Sequence, residues 1–134
     1  MTKLAKILLV IIAMQLALSV HAAASLPPVI QAFCDMAFAG EIAGKGDKFN
    51  ATDVIEKGVP SRRILGYVVD DHYAYIWYEH GGRSYHQHLV KFSNTRPYEV
   101  KASYLFATTQ YQDIHVLIKD TKFLSAHLSN QCGL

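Results

Sequence analysis

The sequence predicts an α+β fold: an N-terminal helix packed on a four-stranded antiparallel meander, with a helical segment at the C-terminal end. Three observations carry that expectation. The stretch from Ile64 to Phe92 is rich in β-branched and aromatic residues and is broken by Asp70-Asp71 and by Gly81-Gly82, so it reads as three strands joined by tight turns. The run VIQAFCDMAFAGEIA after Pro27-Pro28 has no breaker before Gly40, which suits a helix. Near the end, the short apolar run Ile114 to Ile118 suits either a strand or a helix, and the recurrence of Tyr111, Ile114, Leu117 and Ile118 at helical spacing favours the helix.

Residues 1 to 24 read as a secretory signal peptide. Lys3 and Lys6 precede an apolar run from Ile7 to Leu18, and the small residues Ala22, Ala23 and Ala24 follow it. Cleavage is placed after Ala24, with Ala22 as the other option. The apolar run falls short of the roughly 20 residues a membrane span needs, so no stable membrane insertion of the mature chain is expected. Residues 25–134 are then one exported α+β domain, periplasmic in a Gram-negative bacterium and secreted otherwise.

Removing Lys3 and Lys6 from the 13 basic residues leaves 11, against 11 acidic ones, so the mature domain is neutral with histidine uncharged. Its basic residues are dispersed, Arg62-Arg63 being the one adjacent pair, and they form no track for a phosphate backbone. Nucleic acid is not an expected partner. Two cysteines, Cys34 and Cys132, remain in a chain bound for an oxidising compartment, and a disulfide between them is expected to tie the first helix to the tail.

Taken in order, Ser25 and Pro27-Pro28 open a helix expected from Pro28 to Ala43. Gln31, Asp35 and Glu41 form a narrow polar stripe, while Val29, Ile30, Phe33, Met36, Ala37 and Ile42 cover the rest, so most of the helix is expected to be buried. Gly44-Lys45-Gly46-Asp47 reads as a turn. Asn50 or Thr52 then caps a short helix through Lys57, ended by Gly58 and Pro60. Asn50-Ala51-Thr52 also matches a glycosylation acceptor, relevant only in a eukaryotic secretory route. After the three strands and a Ser93–Pro97 loop, Tyr98 to Ala107 alternates as a fourth strand. Thr109 and Gln112 resemble a capping box for the C-terminal helix, and Phe123 to Leu128 adds a further turn or two. A helix laid on an antiparallel meander is similar in layout to the cystatins; the likeness is one of architecture and implies no activity.

A two-residue turn at Gly81-Gly82 would set His80 opposite Arg83, Tyr78 opposite Tyr85, Trp77 opposite His86 and Tyr75 opposite His88. That register places Tyr73, Tyr75, Trp77, His86, His88, Val90 and Phe92 on one face, and Ala74, Ile76, Tyr78, Tyr85, Gln87 and Leu89 on the other. All eight tyrosines fall between Tyr67 and Tyr111, together with Trp77, and both faces carry large aromatics. One helix covers one face, so an aromatic surplus is left for contact. Tyr, Trp and Arg are enriched at interaction hot spots, which singles out Tyr75, Trp77 and Arg83 at the hairpin tip.

Four of the seven histidines, His72, His80, His86 and His88, lie in the hairpin region. His86 and His88 share a strand face and form a pair of candidate metal ligands, but no strong third donor accompanies them, so no metal site is assigned. Asp70-Asp71-His72 reads as turn chemistry. No GxSxG, HExxH, phosphate-cradling glycine loop or cofactor motif is present, and no cofactor is expected. The reading that follows is a small exported binding protein that engages a protein partner, in an inhibitor, immunity or accessory role, through an aromatic sheet face. The alternative is a pocket for a small ligand or metal framed by Tyr75, Trp77, His86 and His88; a hydrolytic or acid-base enzyme using His72, His86 or His88 ranks third.

Overall fold

The computed structural model describes residues 25–107 and 111–120. Helix α1 (Pro28–Phe38) is followed by strands β1 (Arg62–Val69), β2 (Tyr73–His80), β3 (His86–Ser93) and β4 (Val100–Phe106), and then by helix α2 (Ile114–Lys119). The strands form one antiparallel sheet in the order β1-β2-β3-β4, the expected meander. The 1–24 segment, the Thr109 cap, the Phe123–Leu128 turn and Cys132 all lie outside the described residues.

Helix α1 stops five residues before the expected Ala43. Ala39 and Gly40 take up positive φ of 52° and 76°, and Gly40 N–H closes on the Cys34 carbonyl at 3.4 Å, a left-handed helix stop. The released chain docks on the outer edge of the sheet. Ala43 N–H donates to the Arg62 carbonyl and Ile64 N–H to the Ala43 carbonyl, both at 2.9 Å, which pairs part of an otherwise open strand edge. Ile30, Phe33, Cys34 and Phe38 face the sheet, while Met36, expected inside, is 57% exposed. Asn50 and Thr52 start no helix, and residues 47–60 form an irregular loop.

The β1-β2 turn is as its sequence suggests. Asp70 Oδ1 accepts the N–H groups of His72 (2.9 Å) and Tyr73 (2.7 Å), and these backbone donors hold its carboxyl below the usual range. Across this turn Gly66 pairs with Trp77 and Val68 with Tyr75, until a bulge at Leu65 moves Ile64 opposite Tyr78.

The β2-β3 register differs from the expected one. His80 pairs with His86, Tyr78 with His88, Trp77 with Leu89 and Tyr75 with Lys91, so Gly81–Tyr85 is a five-residue loop rather than a two-residue turn. The Gly81 N–H is used elsewhere, donating to the Ser61 carbonyl at 2.9 Å, and Gly82 takes φ +104°. An odd-length loop reverses the parity of β3. His86, His88, Val90 and Phe92 therefore join Ala74, Ile76, Tyr78 and His80, whereas Tyr75 and Trp77 share the opposite face with Gln87, Leu89 and Lys91.

Each face has its own core. On the first, Ile30, Phe33, Cys34 and Phe38 of α1 pack on Ile64, Ala74, Ile76, Tyr78, Val90 and Phe92, with the Phe33 and Phe92 rings stacked 3.9 Å apart. On the second, Trp77, Leu89 and Phe106 pack against Ile114 and Leu117 of α2. Helix α2 is capped by Asp113, whose side chain accepts the His115 N–H. The second helix removes the premise that one sheet face stays open.

Candidate functional site

The features that stand free of these cores gather at the sheet end where the 50–61 segment meets the β2-β3 loop. Asn50 organises the segment. Its Nδ2 donates to the carbonyls of Glu56 (3.2 Å) and Val59 (2.6 Å), its Oδ1 accepts the Glu56 N–H (3.0 Å), and its own N–H donates to the Pro60 carbonyl (2.8 Å). Asn50 is buried by these contacts and by the β2-β3 loop, which crosses directly over its carbonyl at Gly81. The residue that resembled a helix cap or glycosylation acceptor is the clamp of a nine-residue loop. A glycan on this amide would displace those donors.

Between this loop and the β2-β3 loop lies a cleft of about 720 Å³, lined by Asn50, Ile55, Ser61, His80, Gly81 and Arg83 among others. Arg83 is exposed on its rim. Val54 and Ile55 of the loop are 77% and 82% exposed, Ile55 at the margin of the cleft.

The histidines form a row leading away from the cleft along the α1 face. His80 and His86 stack with ring centroids 5.1 Å apart, His86 meets His88 edge-on at 4.7 Å, and His88 stacks on Tyr78 at 4.8 Å. Burial, and then the neighbouring His86, His80 and Arg62, push the His88 pKa down to about 4; burial, Arg62 and His86 lower that of His80. Neutral imidazoles can stack closely where imidazolium ions would repel. The Nδ1 atoms of His80 and His88 are buried without a hydrogen-bond partner, while His86 Nδ1 is held by the Ser84 carbonyl. Among the described residues, no group of three His, Cys, Asp or Glu side chains is arranged to hold a metal ion.

Tyr75 and Trp77 are separated from His86 and His88 by the sheet itself, so these four residues frame no common pocket. Trp77 is 5% exposed and its indole Nε1 donates to Gln87 Oε1 at 3.1 Å. Tyr75 is half-buried near Lys91, whose ammonium sits 3.8 Å from the Tyr73 ring centroid and 5.7 Å from that of Tyr75. Beyond Trp77, Gln87 Nε2 donates to Tyr85 Oη (2.8 Å), Tyr85 Oη to Glu79 Oε2 (2.6 Å), and Arg63 pairs with Glu79 Oε1 at 2.7 Å. This chain of bonds satisfies a buried carboxylate, and its members are committed to one another.

Cys34 is fully buried, and burial pushes its thiol up to about 12, so it is no nucleophile near neutral pH. It has no disulfide partner among the described residues. No helix among them is long and apolar enough to cross a membrane. Compared with protein-family models, curated proteins and solved structures, the chain matches none.

Proposed function

We propose that this is a small exported binding protein that engages a protein partner, in an inhibitor, immunity or accessory role. Its contact surface is the loop end of the sheet, formed by the Asn50-clamped loop and Arg83. The observation that carries this reading is the contrast between the two sets of candidate residues. Trp77 is packed into a core, whereas Val54, Ile55 and Arg83 are exposed together at one end, the first two on a loop already held in shape. Preformed loops lose little conformational entropy on binding, and apolar and arginine side chains supply contact area and directed hydrogen bonds.

Export is part of the proposal, with Lys3, Lys6 and the Ile7–Leu18 run as its signal and a Cys34–Cys132 disulfide closing the mature domain. N-terminal sequencing of secreted protein should begin after Ala24 or Ala22. Alkylation under denaturing, non-reducing conditions should find no free thiol. Denaturation is needed because a buried Cys34 would resist reagent in either redox state.

The binding reading is tested with purified protein immobilised and exposed to extract from its own compartment. Arg83→Ala and Ile55→Asp should each reduce capture of the partner that the unaltered protein retains, with melting unchanged. Undiminished capture by both variants would refute this surface.

The cleft favours a second reading, a small ligand held between the 50–61 loop and the hairpin. Its volume lies in the range of roughly 300–1,000 Å³ typical of ligand sites, and it borders His80 with its unpartnered nitrogen. Under that reading a bound ligand should perturb the His80 ring resonances, and His80→Phe should abolish the effect.

A further inference from the structure

The loop that carries Val54 and Ile55 is clamped across its own tip by one side chain. Asn50 stands five residues before Ile55, yet it grips Glu56, the residue immediately after Ile55, at both its N–H (3.0 Å) and its carbonyl (3.2 Å). Val59 is tied in by its carbonyl to Asn50 at 2.6 Å and by its N–H to the Glu56 carbonyl at 3.2 Å. The base of the loop is closed by the Asn50–Pro60 bond, and the loop bears on the hairpin at Gly81. The segment is thus held in one shape, and Ile55, at the margin of the cleft, is its most exposed aliphatic side chain.

Such a loop presents an unusual target to a peptidase. If the Ile55–Glu56 bond were cut, the new amine of Glu56 would still lie at Asn50 Oδ1, and Asn50 belongs to the segment bearing the new Ile55 carboxyl end. The two ends would not separate. We propose that the Val54–Ile55 loop is a substrate-like reactive loop that inhibits a serine endopeptidase whose primary pocket accepts a branched aliphatic side chain, with Ile55 as the inserted residue. The inference rests on the protein-binding reading and names the class of partner.

The chemistry balances without any added reagent. The enzyme serine attacks the Ile55 carbonyl carbon, the C–N bond to Glu56 breaks, and the serine proton passes through the enzyme's base to the Glu56 amine. The acyl-enzyme then has two fates. Water releases the Ile55 carboxylate, or the retained Glu56 amine attacks the ester, re-forms the peptide bond and frees the serine. Holding the amine within the site gives it a high effective concentration and favours the second route. Asp53 and Glu56 flank the tip, and Lys48 forms an exposed ion pair with Glu56 at 2.5 Å. With Lys57 next to Glu56, the two carboxylates are balanced by two lysines, so the apolar side chain of Ile55 rather than net charge sets the enzyme's preference.

The test uses the purified protein with pancreatic elastase, whose pocket takes aliphatic residues, and with trypsin as the contrast. Competitive inhibition of elastase is expected, together with slow cleavage confined to Ile55–Glu56, both fragments staying together in a native gel. Ile55→Asp, at an exposed position, should raise the inhibition constant at least about 30-fold with unchanged melting, as expected for loss of an anchor residue. Asn50→Ala should turn the loop into a rapidly consumed substrate. No inhibition of elastase, or inhibition that survives Ile55→Asp, overturns the inference. If elastase is not inhibited while Ile55→Asp still abolishes capture of the natural partner, the inhibitor assignment falls and the binding reading stands. If capture ignores both Ile55→Asp and Arg83→Ala, the binding reading itself falls.

Discussion

The Cβ that Gly81 lacks would lie 1.8 Å from the carbonyl oxygen of Asn50 and 2.9 Å from the Ala51 Cα, so hairpin and loop meet backbone to backbone. Neither partner at that contact is a side chain that could swing aside. Gly81→Ala must therefore lift the 50–61 loop off the hairpin or bend the hairpin away. The expected cost is about 1–3 kcal/mol, the range for overpacking a closely fitted contact, read from the denaturant midpoint. Limited proteolysis within 51–59 should accelerate in the same variant. Gly82→Ala, at φ +104° with open space around it, should strain the backbone locally and leave the loop protected.

Trp77 and Tyr75 are one turn of the strand pleat apart and should respond differently to truncation. Trp77→Ala removes a buried ring between the sheet and α2 and should cost about 3–5 kcal/mol. Tyr75→Ala strips a half-buried ring at the margin of the same core and should cost about 1–2 kcal/mol, nearer the middle of the range for point substitutions. Trp77 is the sole tryptophan, so native emission should be blue-shifted and move to the red on unfolding. Red-shifted native emission would contradict the burial described for this ring.

The strands and their order were legible because β-branched and aromatic runs between polar breaks carry their own pairing information, and the Asp70 turn is made by its own side chain. Helix α2 was legible only in part, because a five-residue apolar run suits a strand as well as a helix and the spacing of Ile114, Leu117 and Ile118 alone favoured the helix that forms; its described cap is Asp113. The β2-β3 register was not. Gly81-Gly82 has the composition of a tight turn, but Gly81 is there for the close approach of the Asn50 backbone and its N–H is spent on Ser61, contacts set from 20 or more residues away. One parity error then moved His86 and His88 to the wrong face. Asn50 was misread for the same reason, since its partners lie six and nine residues on and leave no local pattern. The aromatic excess was real, but the packing of α2 against Trp77 shows that a surplus of rings in the sequence need not be a surplus at the surface.

Tyr85 is part of the chain of hydrogen bonds that holds the Glu79 carboxylate beneath the surface. Its hydroxyl donates to Glu79 Oε2 at 2.6 Å and accepts from Gln87, and its pKa is raised chiefly by burial and by the bond to that carboxylate. Tyr85→Phe should cost about 1.5–3 kcal/mol, the range for a hydrogen bond to a charged group. Glu79→Ala is expected to be worse, at about 3–5 kcal/mol, because it leaves the partly buried Arg63 guanidinium without its counter-charge. Chemical denaturation of the two variants and their double mutant should show clear non-additivity. Independent effects would mean that the chain does not act as a unit.

His88 supplies the pH prediction. Its ring is 7% exposed, stacked on Tyr78, and faced by His86, His80 and Arg62, so its protonated form is disfavoured in the fold and its pKa falls to about 4 from an ordinary value of 6.5. Between those values the unfolded chain binds a proton that the folded chain does not, so stability rises with pH across the window. The contribution is fully present above pH 6.5 and is lost as pH falls through about 4. His80 is shifted in the same direction, chiefly by burial, and adds a loss of the same sign. Asp70, whose carboxyl is held below 3.8 by the turn N–H groups, weakens the fold only at still lower pH. Denaturant midpoints should therefore decline steadily from pH 7 to 4.5. His88→Phe keeps a ring of similar size against Tyr78 and removes the titrating group, so it should flatten the decline while leaving the residual slope from His80. An unaltered protein equally stable at pH 7 and 4.5, or a His88→Phe variant with an unchanged slope, would show that the histidine row carries no such linkage.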